Sequence, residues 1–302
     1  MTLTNLRERY RSILGKETDD FLRCSEKPST IKSIRVNTLK ISDTKLLDRL
    51  ASKGAIFKKI PFLVNGYYVK SKFSLGSTPE YLQGYYFLQE AASQIPTLIL
   101  DPKEGEHVLD MAASPGAKTT QIAQLMKNKG LITAIDIKGR TDALINNLER
   151  LSVSNTSVYE SDARNVSSLN MRFDKILLDA PCSGNICSQH NWIQKRRVKD
   201  FINRSEVQKE LIKSAYNVLK DDGILVYSTC SLEPEEDEFV VQHALDLGFK
   251  LKNIDKEKLG IGNPGLTEVF NEKLNPELEK CLRLWPHKSK TQGFFVAKLR
   301  KE

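Results

Sequence analysis

From residue 106 onward, short apolar runs alternate with longer stretches whose apolar residues recur at helical spacing. The runs predict strands at 107–110, 131–135, 156–160, 174–179, 223–228, 248–254 and 293–299. The helical period predicts helices near 117–127, 140–151, 203–220 and 235–247. Strands separated by helices imply an α/β fold with a mostly parallel, doubly wound sheet. Pro264, Gly265 and Pro286 lie between the last two runs, which can instead pair as an antiparallel edge.

The pattern upstream is different. Residues 1–20 read as a helix with Leu6, Tyr10, Ile13 and Leu14 on one face, and residues 31–37 alternate like a strand. A helix over 44–54 carries Leu46, Leu47 and Leu50 on its apolar side. Two short strands at 60–64 and 67–70 flank Asn65-Gly66, a hairpin signal. Together these predict a small α+β domain over 1–75. A connecting helical segment follows at 76–105, and the strand–helix domain fills 106–302. The connector carries Tyr81, Tyr85, Tyr86 and Phe87, rings that either stack on bases or bury an inter-domain seam, with the seam the favoured reading.

Composition narrows the class. No apolar run in the 302 residues approaches the ~20 that a membrane span needs, and the start lacks the apolar core of a signal peptide. The five cysteines are unevenly spaced and include no CxxC pair, so a reducing cytoplasm is expected, with no disulfide framework and no metal site. A monomer is expected. The net charge of +8 is concentrated: residues 1–75 hold 16 Lys and Arg against 7 Asp and Glu, while the other 227 hold 30 against 31. A basic first quarter suits a polyanion, nucleic acid above all, although a solvated basic face has the same composition.

Two thiols follow predicted strand ends, where open α/β sheets place their chemistry. Cys182 follows Asp179-Ala180-Pro181 and Cys230 follows Tyr227-Ser228-Thr229, and a serine comes after each. The other cysteines, 24, 187 and 281, read as small buried hydrophobes. Glu233 to Glu238 read as the acid-enriched start of a helix. The first strand of the sheet leads into Ala112, Ala113, Ser114, Pro115, Gly116, Ala117 and Lys118, a loop of mostly small residues that lets a ligand approach the backbone. It is neither GxGxxG nor a phosphate-binding GxxxxGK[ST]. Asp136 closes the next strand, where a carboxylate can accept from ribose hydroxyls, and Asp162 follows the third, placed for an adenine amine. Each acid alone also reads as a helix cap or surface group. Together they describe a nucleoside site that suits S-adenosyl-L-methionine better than NAD.

These stretches carry a family resemblance. Ile34-Arg35-Val36-Asn37-Thr38, Gln89-Glu90-Ala91-Ala92-Ser93, Asp110 through Thr119, Asp162-Ala163-Arg164, Asp179-Ala180-Pro181-Cys182-Ser183-Gly184, Tyr227 through Glu236, Arg283-Leu284-Trp285-Pro286-His287 and Gly293 through Ala297 occur in order. The sequence resembles the Sun/Nop/Fmu family of RNA cytosine carbon-5 methyltransferases (RsmB-like, NSUN-type). The resemblance implies a Rossmann-like catalytic domain using S-adenosyl-L-methionine, preceded by an RRM-like domain. It implies Cys230 as the nucleophile toward cytosine carbon 6, Cys182 as the group assisting product release, and Asp179 on the cytosine edge and beside the cofactor. Three positions depart from the family: Ala117 and Ile186 stand where Gly is usual, and Ala112 where Cys is common. The loop after Gly184 reads Asn185 to His190 where an arginine-rich stretch is usual. The chain's compact length suggests a tRNA substrate of the archaeal type, with rRNA as the alternative. A non-catalytic RNA-binding protein on the same fold, and a methyltransferase of proteins or small molecules, are the other readings.

Overall fold

A computed structural model describes residues 5–26, 32–187 and 191–302. Parts of the expected first helix (1–4), first strand (31) and loop after Gly184 (188–190) lie outside the described residues. The chain folds as two compact units, Thr30–Leu177 and Met1–Ser29 with Leu178–Glu302. Helices α1 (Leu6–Leu14) and α2 (Thr18–Glu26) belong to the second of these.

The unit Thr30–Leu177 begins with β1 (Lys32–Val36), α3 (Asp43–Ala51), β2 (Ile56–Lys59), β3 (Gly66–Lys70), α4 (Pro79–Leu82) and β4 (Tyr86–Leu88). The strands form an antiparallel sheet in the order β2-β3-β1-β4. Leu46 and Leu50, one helical turn apart on α3, pack with Ile34, Val36, Val69 and Tyr86. The expected strand at 60–64 is a connection instead. Pro61 has no amide to donate, Leu63 N turns back to Ile60 O at 3.1 Å, and pairing begins at Ile56 on the far side.

The same unit continues with α5 (Ile95–Leu100), β5 (His107–Asp110), α6 (Ala117–Leu125), β6 (Leu131–Asp136), α7 (Thr141–Arg150), β7 (Thr156–Glu160) and β8 (Phe173–Asp179), whose last two residues fall in the other unit. Its strands are parallel and ordered β8-β5-β6-β7. Helices cover both faces of such a sheet, which is why the strand sequences are nearly continuous apolar runs. The aromatic connector is a seam inside this unit. Arg150 stacks over the Tyr81 ring at 4.1 Å and donates to Tyr81 O at 2.7 Å, while Asn37 Nδ2 donates to Leu151 O at 2.9 Å. Tyr86 is fully buried.

The second unit starts with α1 and α2. The expected single helix over 1–20 breaks at Gly15, whose φ of 55° lies in the left-handed region. Leu6, Tyr10 and Phe21 pack with Ile186, Trp192, Phe201, Leu232 and Trp285. The unit continues with α8 (Trp192–Lys195), α9 (Val198–Val218), β9 (Leu219–Thr229), α10 (Glu238–Asp246), β10 (Phe249–Lys252), α11 (Lys256–Leu259), β11 (Asn263–Pro264), the ribbon β12 (Glu268–Val269) and β13 (Glu272–Lys273), β14 (Leu282–Leu284), α12 (Pro286–Ser289) and β15 (Phe294–Lys301). Helix α9 buries Val198, Phe201, Ser205, Gln208, Leu211, Ile212 and Ala215, a stripe at three- and four-residue spacing. Strand β15 pairs antiparallel with β9, β10 and β14, so the runs at 248–254 and 293–299 form the antiparallel edge. Among the described residues no helix is long and apolar enough to cross a membrane.

Candidate functional site

Strand β9 lies beside the end of β8, and Ala180 N, just past β8, donates at 2.8 Å to Ser228 O inside β9. This pairing brings the two cysteine loops together. Cys182 Sγ and Cys230 Sγ are 2.8 Å apart, both half-buried and both free thiols. Asp179, the last residue of β8, accepts from the Ser228 hydroxyl at 2.7 Å. The three residues expected to carry the chemistry thus occupy one corner of one unit. The contact with Cys230 pushes the Cys182 thiol well above its ordinary range. Burial and the negative charges of Cys230 and Glu236 act in the same direction.

The acids after Cys230 are interior anchors, not the exposed start of a helix that the sequence pattern suggests. Helix α10 begins only at Glu238, and Glu233, Glu236, Asp237 and Glu238 are all buried. Arg283, itself fully buried, donates to Glu238 Oε1 at 2.7 Å, to Asp237 Oδ2 at 3.0 Å and to Leu232 O at 3.0 Å. From α1, Arg9 reaches Glu233 at 3.2 Å and Glu235 at 2.6 Å, and the Tyr10 hydroxyl donates to Glu233. Burial raises the Glu233 carboxyl to about 7, against the pull of Arg9 and Tyr10. Glu236 receives donors from both cysteine loops: Ser183 N at 3.0 Å, the Ser183 hydroxyl, and the Ser231 hydroxyl at 2.9 Å. Asn185 Nδ2 donates to Cys230 O at 2.6 Å and to Gly293 O at 3.1 Å. Ile186, which stands where the resembled family commonly has Gly, fills the apolar cluster beneath α1.

Sequence reasoning missed Ser228, Asn185 and Glu236. The available signal was the repeated Cys-Ser dipeptide, two hydroxyls at matching positions that can share one acceptor.

The expected cofactor residues lie in the unit Thr30–Leu177. Asp136 Oδ2 accepts from Ser114 N at 2.8 Å and Oδ1 from Ile137 N at 2.8 Å, with Arg140 at 3.3 Å. The small-residue loop is folded tightly against β6: Ala113 N donates to Ile135 O at 3.0 Å and Gly116 N to Ala113 O at 2.7 Å. Gly116 has φ 99°, a conformation that Cβ-bearing residues rarely adopt. Ala112, Ser114, Pro115 and Ala117 are half-buried or exposed, while Lys118 is buried and donates to Ser93 Oγ at 3.1 Å. Asp162 caps the short helical segment Ala163–Leu169 through Arg164 N at 2.9 Å and pairs with the Arg164 guanidinium at 2.6 Å.

The residues fit a nucleoside-bearing cofactor. A carboxylate oxygen accepts two donors, so Asp136 Oδ2, which receives Ser114 N, keeps capacity for a ribose hydroxyl beside a loop without bulky side chains, while Ile137 N and Arg140 engage Oδ1. Asp162 has less to offer, since Arg164 takes part of its capacity.

Comparison with known proteins follows this geometry. Residues 97–300 match the family model of 16S rRNA methyltransferase RsmB/F, and residues 4–91 match the N-terminal domain of 16S rRNA methyltransferase RsmF. The chain is 38% identical to a human 28S rRNA (cytosine(4447)-C(5))-methyltransferase over 96% of its length, spanning 37% of that relative. It is 38% identical to the tRNA (cytosine(49)-C(5))-methyltransferase of Pyrococcus abyssi, covering 97% of this chain and 94% of the relative. NSun6 from Pyrococcus horikoshii, solved with SFG, an S-adenosylmethionine analogue, superposes with a TM-score of 0.88 at 30% identity, covering 98% of this chain and 97% of that one. The chain therefore has the Rossmann-like methyltransferase fold, and it belongs to the RsmB/F methyltransferase family, the Sun/Nop/Fmu group that its motifs resemble.

Proposed function

We propose that this protein is an S-adenosyl-L-methionine-dependent RNA cytosine carbon-5 methyltransferase acting on tRNA. The observation that carries the reading is the pair of free sulfurs 2.8 Å apart beside an acid held by a serine. Carbon 5 of cytosine is too weak a nucleophile to take a methyl group unaided. The Cys230 sulfur adds to carbon 6, forming the S–C bond and driving the C5–C6 π pair onto carbon 5. Asp179 binds ring nitrogen 3 and the exocyclic amine, and a proton shared between its carboxyl and nitrogen 3 offsets the negative charge that accumulates on the ring. Release reverses the addition: solvent takes the carbon-5 proton, the C5–H pair restores the C5–C6 double bond, the C6–S pair returns to the Cys230 sulfur, and Cys182 assists.

S-adenosyl-L-methionine supplies an electrophilic methyl group on a sulfonium. Ala112 to Lys118 would shape its pocket, Asp136 would take the ribose, and Asp162 would take the base. A cytosine inside folded RNA must be exposed to reach these groups.

Identity to tRNA and rRNA enzymes is equal, and the tRNA enzyme matches along nearly its whole length. The rRNA relatives support the alternative target. Methyl-labelled cofactor is incubated with the protein and total RNA, then the products are separated by size with and without ribonuclease. Ribonuclease-sensitive label in the tRNA fraction is expected. Label in the rRNA fraction moves the target to rRNA, and ribonuclease-resistant label defeats the reading.

A further inference from the structure

Glu236 is fully buried, lies six residues after Cys230, and belongs to no step of the proposed chemistry. A carboxylate in such a place costs stability unless its lone pairs are taken up. Here they are taken by a specific set of donors. Oε2 accepts from Ser183 N at 3.0 Å and from Gln208 Nε2 at 3.0 Å, and Oε1 accepts from the Ser183 hydroxyl and from the Ser231 hydroxyl at 2.9 Å. Ser183 is the residue after Cys182, and Ser231 is the residue after Cys230. Gln208 also donates to Pro181 O at 3.0 Å, so the peptides on both sides of Cys182 are held through the same centre. The Glu236 backbone is itself tied to β9, its carbonyl accepting from the Tyr227 hydroxyl at 2.5 Å.

We propose that Glu236 is a positioning residue whose carboxylate fastens the two cysteine loops to one point and thereby sets the distance between the Cys182 and Cys230 sulfurs. The inference rests on the reading that these thiols are the reacting groups. Charge-assisted hydrogen bonds are short and directional, and four of them on one two-oxygen group leave little slack. Gln cannot replace the acid: its amide nitrogen brings two more hydrogens to a place already filled by donors. Asn185, also in the Cys182 loop, adds a further tie by donating to the Cys230 carbonyl and to Gly293 O.

The test uses dibromobimane, which fluoresces when it bridges two neighbouring thiols, on the whole reduced protein without RNA or cofactor. Peptide mass mapping identifies which cysteines are bridged. Wild-type protein is expected to bridge Cys182 to Cys230. Glu236→Gln, checked for a native circular dichroism spectrum, is expected to bridge them about tenfold more slowly, the effect of a buried donor left unmatched. Its kcat for RNA methylation falls similarly while KM for RNA stays unchanged. Ser231→Ala removes a single tie, and slower bridging there supports the proposal should the Gln variant fail to fold. Bridging at the wild-type rate in either folded variant overturns it. Because bridging needs no substrate, a wild-type protein that bridges but transfers no methyl sinks the methylation reading and leaves the clamp standing.

Discussion

The Ser228 hydroxyl donates to Asp179 Oδ1 at 2.7 Å, joining the residue two before Cys230 to the acid three before Cys182. The bond fixes one carboxylate oxygen and leaves the orientation of the other determined. Ser228→Ala removes this hold on Oδ1, and losing a hydrogen bond to a charged group costs about 1.5–3 kcal/mol. A fall in kcat of about tenfold to a hundredfold is therefore expected, with little change in KM for the cofactor. Steady-state methylation kinetics check it. An unchanged kcat removes Asp179 from the reacting centre.

The thiol pair makes an asymmetric prediction. Cys230→Ala leaves no sulfur to add to carbon 6, so methyl transfer disappears. Cys182→Ala still allows addition but slows release, so protein and RNA remain joined as a slowly migrating band on a denaturing gel. If instead Cys182→Ala abolishes transfer and Cys230→Ala accumulates the adduct, the two roles are exchanged.

Much of this was legible in the chain. Strands β5, β6 and β8 are mostly buried, and such strands appear as apolar runs whose ends are easy to find. The Pro-Cys and Thr-Cys stretches then fall at strand ends. The acids Glu233 to Glu238 were not legible as anchors, because their partners are remote: Arg9 is 224 positions from Glu233, and Arg283 is 45 from Glu238. A local pattern records charge and spacing, but not the guanidinium that the fold brings in. The Asn65-Gly66 signal found the β2–β3 hairpin but misplaced its first strand, for Asn65 Nδ2 donates to Asp43 at 2.9 Å and Asn65 O accepts from Val36 N at 2.9 Å.

Arg283 is the most consequential of these remote partners. It pairs with both Asp237 and Glu238, all three being fully buried, and its guanidinium packs 4.9 Å from the Trp285 ring. Arg283→Ala leaves two acids without their cation, and breaking a buried pair in this way costs about 3–5 kcal/mol. Urea unfolding is expected to show that loss. A variant with Arg283→Ala, Asp237→Asn and Glu238→Gln together is expected to recover part of it.

Gly84 marks a different constraint. Its φ is +71°, and a Cβ there would collide with the Arg150 carbonyl oxygen at the seam. Gly84→Ala combines backbone strain with overpacking, each worth about 1–3 kcal/mol. Thermal unfolding of that variant should fall well below Gly76→Ala, where the nearest atom to an added Cβ is a Leu88 methyl at 3.8 Å. Equal melting temperatures would contradict the seam.

The contact between α1 and Glu233 carries a pH dependence. Burial raises this carboxyl from an ordinary 4.5 to about 7, so the folded protein holds the proton more tightly than the unfolded chain does. Its contribution to stability is therefore complete below about 4.5 and is lost as pH rises through about 7. Glu233→Gln carries no titrating group, so the melting temperature of the wild type should fall relative to that variant between pH 5 and pH 8, and parallel curves would refute the shift. The loss has a local readout. Tyr10 gives its hydroxyl to Glu233, and Arg9 has a second partner in Glu235, so hydrogen-exchange protection, corrected for the intrinsic rise of exchange with pH, should fall in α1 over the same interval and not in β5 and β6.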